Sequence, residues 1–442
     1  MTLHLQEFFR ACNPSKTLNL ANSGDRHYYI DFASVRGGKI IEALARTITR
    51  LSPEEPTCQL FTGHIGCGKS TELLRLKALL ELEQFEVIYF ESSRDLDMED
   101  VSISDILLAV ARSVSEHLEA RGIVLKPTYF QKLFVEITSF LQTPIELDAT
   151  AELSLGLARI TARTKESPRL RQQLRQSLEP RTEGILRSIN EELLGAADKE
   201  LQKRGKKGLV VIIDNLDRIS ARQATRDRSL PEYLFIDRGQ QLRRLNCHVI
   251  YTIPLALIFS NEYQALKNRL GGGVAPKILP MVPIQARDQS LDTKGLILLQ
   301  QLVLARAFPQ LSAKERIQCI PQLFDSNKTL NRLCLISGGH VRTLLGLLYN
   351  CLQQTDPPFS RDCVERVIKG YRDDILLAVE ENEWQMLAQV MRQQTIRGEQ
   401  EYQILLRSLF VYEYQDQEGR WFGINPALAE TPRFQTMLKT LE

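Results

Sequence analysis

The sequence predicts an α/β protein built on a parallel sheet, interrupted by a helical insertion and followed by helical and winged-helix-like units. Three observations carry this. The short apolar runs TCQLFTG (Thr57 to Gly63), FEVIYFES (Phe85 to Ser92) and GLVVIIDNLD (Gly208 to Asp217) alternate with helix-periodic stretches. The third run is apolar on both faces, as a central parallel strand must be. A charged stretch from 123 to 207, apolar at three- and four-residue spacing, separates the second run from the third.

Each element has its own signal. After TCQLFTG comes a glycine-rich turn and the helical pattern STELLRLKALLELE; after FEVIYFES comes ISDILLAVARSVSEHLEARG, which stops at Gly122. Two more strands are expected at CHVIYTIP (Cys247 to Pro254) and KILPMVPI (Lys277 to Ile284). Between them, Leu257 to Leu270 reads as a helix ended by Gly271 to Gly273. Beyond Arg287 the pattern is helical to about Leu352, and Pro357 and Pro358 mark a boundary. Helices from Arg361 to Gly398 and from Tyr402 to Leu409 precede a hairpin, FVYEYQDQEGRWFGINP, turning near Glu418 and Gly419. This divides the chain into an N-terminal extension (1–24), a first core part (25–122), the insertion (123–207), a second core part (208–287), a helical lid (288–356) and a winged-helix-like domain (357–442).

Bulk properties narrow the function. The 442 residues imply two or three domains, and 56 basic against 54 acidic side chains leave a formal charge of +2. No global charge draws the chain to nucleic acid or an anionic membrane. Eight cysteines are spread without a C-x-x-C pair or zinc-like spacing, so free thiols and a cytoplasmic location are expected. Neither a leader pattern at the N-terminus nor a run of about 18 apolar residues is present, so no membrane span is expected.

The chemistry centres on GHIGCGKST, which fits G-x-x-x-x-G-K-[ST]. Gly63, His64, Ile65, Gly66, Cys67, Gly68, Lys69, Ser70 and Thr71 form the expected phosphate-binding loop. Glycines free the backbone N–H groups to surround phosphates, Lys69 neutralises the β and γ oxygens, and Ser70 ligates Mg²⁺. Asp214, ending the buried run LVVIID, is the expected second Mg²⁺ group. ATP and Mg²⁺ are therefore the expected ligands. An acid directly after Asp214 would position the attacking water, but that position is Asn215. Asp217 either reaches the γ-phosphate as a base or pairs with Arg218. Thr252 either senses the γ-phosphate or is a plain strand-end hydroxyl. Arg269 either reaches a neighbouring subunit's nucleotide or is an ordinary surface cation. Arg342, in SGGHVRTLL, either places a cation over the nucleotide or is a solvated helix residue. Cys67 is either a thiol activated by the helix N-terminus or a small residue that fits the loop. His64 shows no partner, and the run KRGKK near Lys203 reads as a solvated connector.

With GHIGCGKST, VVIIDNLDR, YTIP and GGHVR in that order, residues 25 to 352 resemble the AAA+ and STAND-like P-loop ATPases. DNLDR after an apolar strand is similar to the KAP subgroup, in which a helical insertion separates the two phosphate-site motifs. The resemblance implies a P-loop NTPase three-layer sandwich on a five-stranded sheet, a lid carrying Arg342, adenine contacts from Tyr29 to Arg36, and nucleotide-controlled self-assembly. Asn215 departs from the pattern, as does an insertion without membrane spans. The expected function is an ATP-dependent oligomerisation switch in signalling or defence, acting with copies of itself and a separate protein effector. The alternatives are a DNA-associated loader or transposition regulator, and an ATP-binding scaffold without turnover. The hairpin's Glu413, Asp416 and Glu418 against Arg420 disfavour nucleic-acid contact there.

Overall fold

The computed structural model describes residues 3–125, 128–141 and 153–441. Five strands, β1 (Cys58–Thr62), β2 (Glu86–Glu91), β3 (Leu209–Asp214), β4 (His248–Thr252) and β5 (Lys277–Ile278), form one parallel sheet in the order β2-β3-β4-β1-β5. Ile213 lies opposite Tyr251 and Phe61 opposite Thr252, so the carboxyl ends of β3, β4 and β1 share one edge. Ligands of open parallel sheets bind at that edge.

Alternation along β3 explains its two-sided apolar pattern. Leu209, Val211 and Ile213 enter one core, while Val210 and Ile212 enter another on the opposite face. The first core also holds Leu157, Leu174, Ile185 and Leu193 of the insertion, so the insertion helices are part of the sheet's packing. A hydroxyl–carboxylate capping box at Ser102 and Asp105 starts the helix Ile103–Glu119, which fills the space between. Residues 142–152 of the predicted insertion lie outside the described residues.

Helices from Thr293–Ala307 to Val341–Gln354 form the lid around a separate core. Phe8 and Cys12, predicted to lie in an independent extension, pack into that lid core. In the C-terminal part, helices Arg361–Leu376, Glu383–Gln393 and Gln400–Arg407 precede the antiparallel hairpin of β6 (Val411–Asp416) and β7 (Gly419–Ile424), a winged-helix-like arrangement.

Several expected boundaries are corrected. The strand predicted over Lys277 to Ile284 ends at Ile278, because Pro280 and Pro283 have no N–H to donate. Beyond it the Met281 N–H donates to the Glu413 carbonyl of β6 instead. The helix predicted over Leu257 to Leu270 is a 3₁₀ turn (Leu255–Phe259) followed by a short helix, Tyr263–Arg269. The helix predicted over Arg361 to Gly398 breaks at 377–382 into two.

Candidate nucleotide site

The loop between β1 and the helix Lys69–Leu82 holds Gly63, Gly66 and Gly68 at positive φ, with Gly68 capping the helix at φ +107°. Gly66 is also sterically required: a Cβ there would stand 2.6 Å from His340 Nε2 and 2.9 Å from Arg342 Cβ. The Arg342 N–H donates to the Gly66 carbonyl at 3.2 Å, and His340 Nε2 bonds the Ile65 carbonyl at 2.8 Å. The lid thus grips the loop backbone. Burial pushes the His340 imidazole down to about 4, which keeps it neutral and fixes it between Ile65 and the Thr343 hydroxyl.

From the other side the loop is held by β6. The Glu413 N–H donates to His64 Nε2 at 2.9 Å, and Tyr412 lies edge-on to His64 with centroids 5.9 Å apart. The expectation that His64 lacks a partner is therefore corrected. Its partner lies 349 residues away, which no local pattern reports. Burial, then the neighbouring His340 and Lys69, push the His64 imidazole down to about 3, so its ring accepts as a neutral base. The Glu413 carboxyl is fully buried, neither oxygen has a hydrogen-bond partner, and burial raises its pKa to about 8 despite Arg420 nearby. His340 and Glu413 are the site residues that sequence reasoning missed; the only signal was GGHVR, read for its arginine.

Lys69 Nζ donates to the carbonyls of Gly63 and His64 at 2.8 and 2.9 Å and pairs with Asp217 Oδ2 at 2.9 Å. Both side chains are buried. Burial would lower the Lys69 pKa, but Asp217, together with Cys67 and Asp214, outweighs it and the net shift is upward. Asp217 therefore pairs with Lys69; of the two alternatives, γ-phosphate base or partner of Arg218, the ion pair with Arg218 is not the one observed. Its second oxygen, Oδ1, is buried without a partner.

Asp214 accepts from the Tyr89 hydroxyl at 2.7 Å and from the Asn215 N–H at 2.7 Å, and Ser70 bonds it as well. Burial and then Asp217 raise its pKa. Asn215 stands in left-handed backbone at φ +67° and donates its amide to Ser93 Oγ, while the residue still lines the cavity beside the loop. Ser70 and Asp214 are oxygen donors side by side, which suits Mg²⁺ provided phosphate and water complete the shell. No group of three His, Cys, Asp or Glu among the described residues would hold a metal alone.

The other predicted residues divide. Arg342 lines the same cavity as Gly66 to Thr71, Asp217 and Arg218, and Tyr29 and Arg36 line it too. Arg36 lies over Phe32 and donates to the Cys67 carbonyl at 3.0 Å. The Thr71 hydroxyl accepts from the Leu18 N–H, and the Cys67 thiol is buried against the Leu279 carbonyl. Thr252 is buried with its hydroxyl bridging Ile213 O and Leu216 N, so it ties β4 to the turn after β3. Arg269 is half-exposed, pairs with Asp237 at 3.1 Å, and lines a cleft separate from this cavity.

A strand, a glycine loop presenting Lys69 and Ser70 from a helix N-terminus, and a buried carboxylate at the end of β3, separated from β1 by β4, make this a P-loop NTPase fold. Residues 38–226 match the KAP family P-loop domain. The matched segment includes the loop, the insertion, Asp214 and Asp217, and ends before β4 and the lid. Unlike a membrane-spanning chain, this one has no described helix long and apolar enough to cross a bilayer. No curated protein matches the chain. Among solved structures it is similar to the Walker-type ATPase of Pyrococcus abyssi (13% identity, 93% of this chain and 99% of that one, TM-score 0.41). It is also similar to the ORC2 protein of Aeropyrum pernix (11%, 91% and 93%, 0.37) and to Cdc6p from Pyrobaculum aerophilum (12%, 94% and 98%, 0.38).

Proposed function

We propose that this chain is a Mg-dependent ATP-binding switch that hydrolyses ATP and changes its association with further copies according to the nucleotide held. The observation that supports it most is the Lys69–Asp217 pair inside a loop gripped by both the lid and β6. A triphosphate offers Lys69 oxygens in place of Asp217, and the carboxylate so released is the nearest acid able to orient a water. Mg²⁺, when bound beside Ser70 and Asp214, offsets the charge of the phosphate oxygens. Arg342, facing the cavity from the lid, adds a cation to the phosphates.

The cavity encloses about 120 Å³, below the roughly 300 Å³ at which small-molecule pockets begin. Nucleotide entry therefore requires the lid contacts at Ile65 and Gly66 to loosen. That gives binding a mechanical consequence for the lid, and through His64 for β6. The test measures phosphate release and particle size by light scattering, with and without Mg-ATP, for wild type, Lys69→Ala and Asp217→Ala. ATP should enlarge the wild-type particle, and both variants should lose turnover. ATP binding with unchanged size and no phosphate release would overturn the switch in favour of a non-hydrolysing scaffold, the reading that Asn215 supports.

A further inference from the structure

The amino end of the sheet carries a second cleft, of about 720 Å³. Thr57, Cys58 and Gln59 at the start of β1 line it, with Arg243 and Arg244 at one helix end, Arg269 at another, and Lys277 of β5. No aspartate or glutamate is among its lining residues; Glu54 and Glu55 stop on the approach loop outside it. Arg244 and Arg269 have acidic partners, Glu183 at 2.8 Å and Asp237 at 3.1 Å. Arg243 and Lys277 have none in the ion pairs of the described residues, so two positive charges remain uncompensated. Arg243 is also positioned. Its guanidinium lies on Gly272, which stands at φ +61° and where a Cβ would sit 2.5 Å from Arg243 Cζ, so a side chain there would push the guanidinium aside.

We infer that this cleft binds the sugar–phosphate backbone of a nucleic acid. A chain of net charge +2 has no global attraction for phosphodiesters, so any contact must come from a local concentration of cations. The β6–β7 hairpin is a poor wing for a nucleic-acid groove: Tyr412, Glu413 and Trp421 are buried, and the turn it exposes carries the acids Asp416 and Glu418. The cleft offers a groove, two cations without an ion-pair partner among the described residues (Arg243 and Lys277), the paired Arg244 and Arg269, and the polar side chains of Thr57, Gln59 and Gln240. This inference does not rest on ATP hydrolysis.

The test is fluorescence anisotropy of the full chain with a labelled single strand and a labelled duplex, across a salt series starting at low ionic strength. The Arg243→Glu/Lys277→Glu double variant should weaken binding at least tenfold and lower the salt slope by about 2, near one per cation removed. Lys314→Glu, a charge reversal at an exposed position of the lid, should bind as wild type does. Arg243→Ala and Lys277→Ala, milder changes of exposed side chains, should each weaken binding several-fold, and circular dichroism verifies that each variant is folded. Absence of salt-sensitive binding by wild type, or equal affinity of the charge-reversed variant, overturns the inference. Loss confined to ATP-dependent particle growth overturns it too and assigns the cleft to a contact between copies.

Discussion

Two glycine-rich turns, each beside a set of cations, stand at opposite ends of one parallel sheet, and they differ in what surrounds them. At the carboxyl end the Gly63–Gly68 loop is enclosed: the side chains of Lys69 and Asp217 are 5% and 4% exposed, the lid bonds its backbone at Ile65, and the hairpin bonds its His64 side chain. At the amino end the Gly271–Gly273 turn is open, with the side chains of Arg269 and Arg244 45% and 58% exposed. Burial decides the consequence. The same charges that are tightly coupled at one end are nearly independent at the other, because solvent screens exposed ion pairs and leaves buried ones strong.

The largest effect should therefore follow from breaking the buried pair. Lys69→Ala leaves Asp217 without the cation it pairs with, and we expect a loss of about 3 kcal/mol of stability in the absence of any nucleotide. Asp217→Asn on top of it should recover part of that loss, since the orphaned charge is gone. Thermal or urea unfolding of the four proteins of this cycle gives the coupling directly. Additive losses would mean that the pair is solvated and the comparison between the two ends is wrong.

The next effect concerns Glu413. Folded, it keeps its proton up to about pH 8, whereas an unfolded glutamate releases it near pH 4.5. The folded state binds the extra proton across that window, so this residue makes stability fall as pH rises from 4.5 to 8. His64 and His340 act the opposite way: with folded values near 3 and 4, they make stability fall as pH drops below about 6.5. Glu413→Gln should remove the alkaline slope and raise stability at pH 8 by roughly 2 kcal/mol, with the acid slope retained. Unfolding midpoints from pH 5 to 9 check it; an unchanged alkaline slope would show that Glu413 is ionised and paired when folded.

Thr252→Val should come third, at about 1 kcal/mol, because it leaves the Leu216 N–H without its acceptor. The hydroxyl is committed to backbone atoms, so ATP affinity should change less than twofold. A tenfold loss of affinity at unchanged stability would return Thr252 to the phosphates.

What was legible in the sequence follows the range of the interactions. The strands β1 to β4, the phosphate loop, Lys69, Ser70 and Asp214 are set by local pattern, since glycine spacing and apolar runs act over a few residues. The pairing of Asp217 with Lys69, the seating of His64 under β6 and the lid grip of His340 depend on which distant segments fold together, and periodicity carries none of that. β5 was overextended for a local reason that was in view: Pro280 and Pro283 lack the N–H groups a longer strand would need. The sequence marks the insertion only as helices between two strands, yet its leucines complete the core of one sheet face, because amphipathic spacing marks a buried stripe without naming its partner.

The smallest effect should come from Arg269. Its pair with Asp237 is half-exposed, and Asp237 also faces Arg228 at 3.5 Å, so removing Arg269 leaves the carboxylate both solvated and partnered. Arg269→Ala should change stability by no more than about 0.5 kcal/mol. Its ATP affinity should equal wild type, because the residue lies at the far end of the sheet from Lys69. Any larger consequence must then come from another molecule. Loss of ATP-driven particle growth with intact nucleotide binding would mean that Arg269 meets a neighbouring copy, whereas weaker nucleic-acid binding with normal growth would place it with Arg243 and Lys277. A variant unchanged in both assays would leave Arg269 as a surface cation at a helix C-terminus, stabilised there by the helix dipole alone.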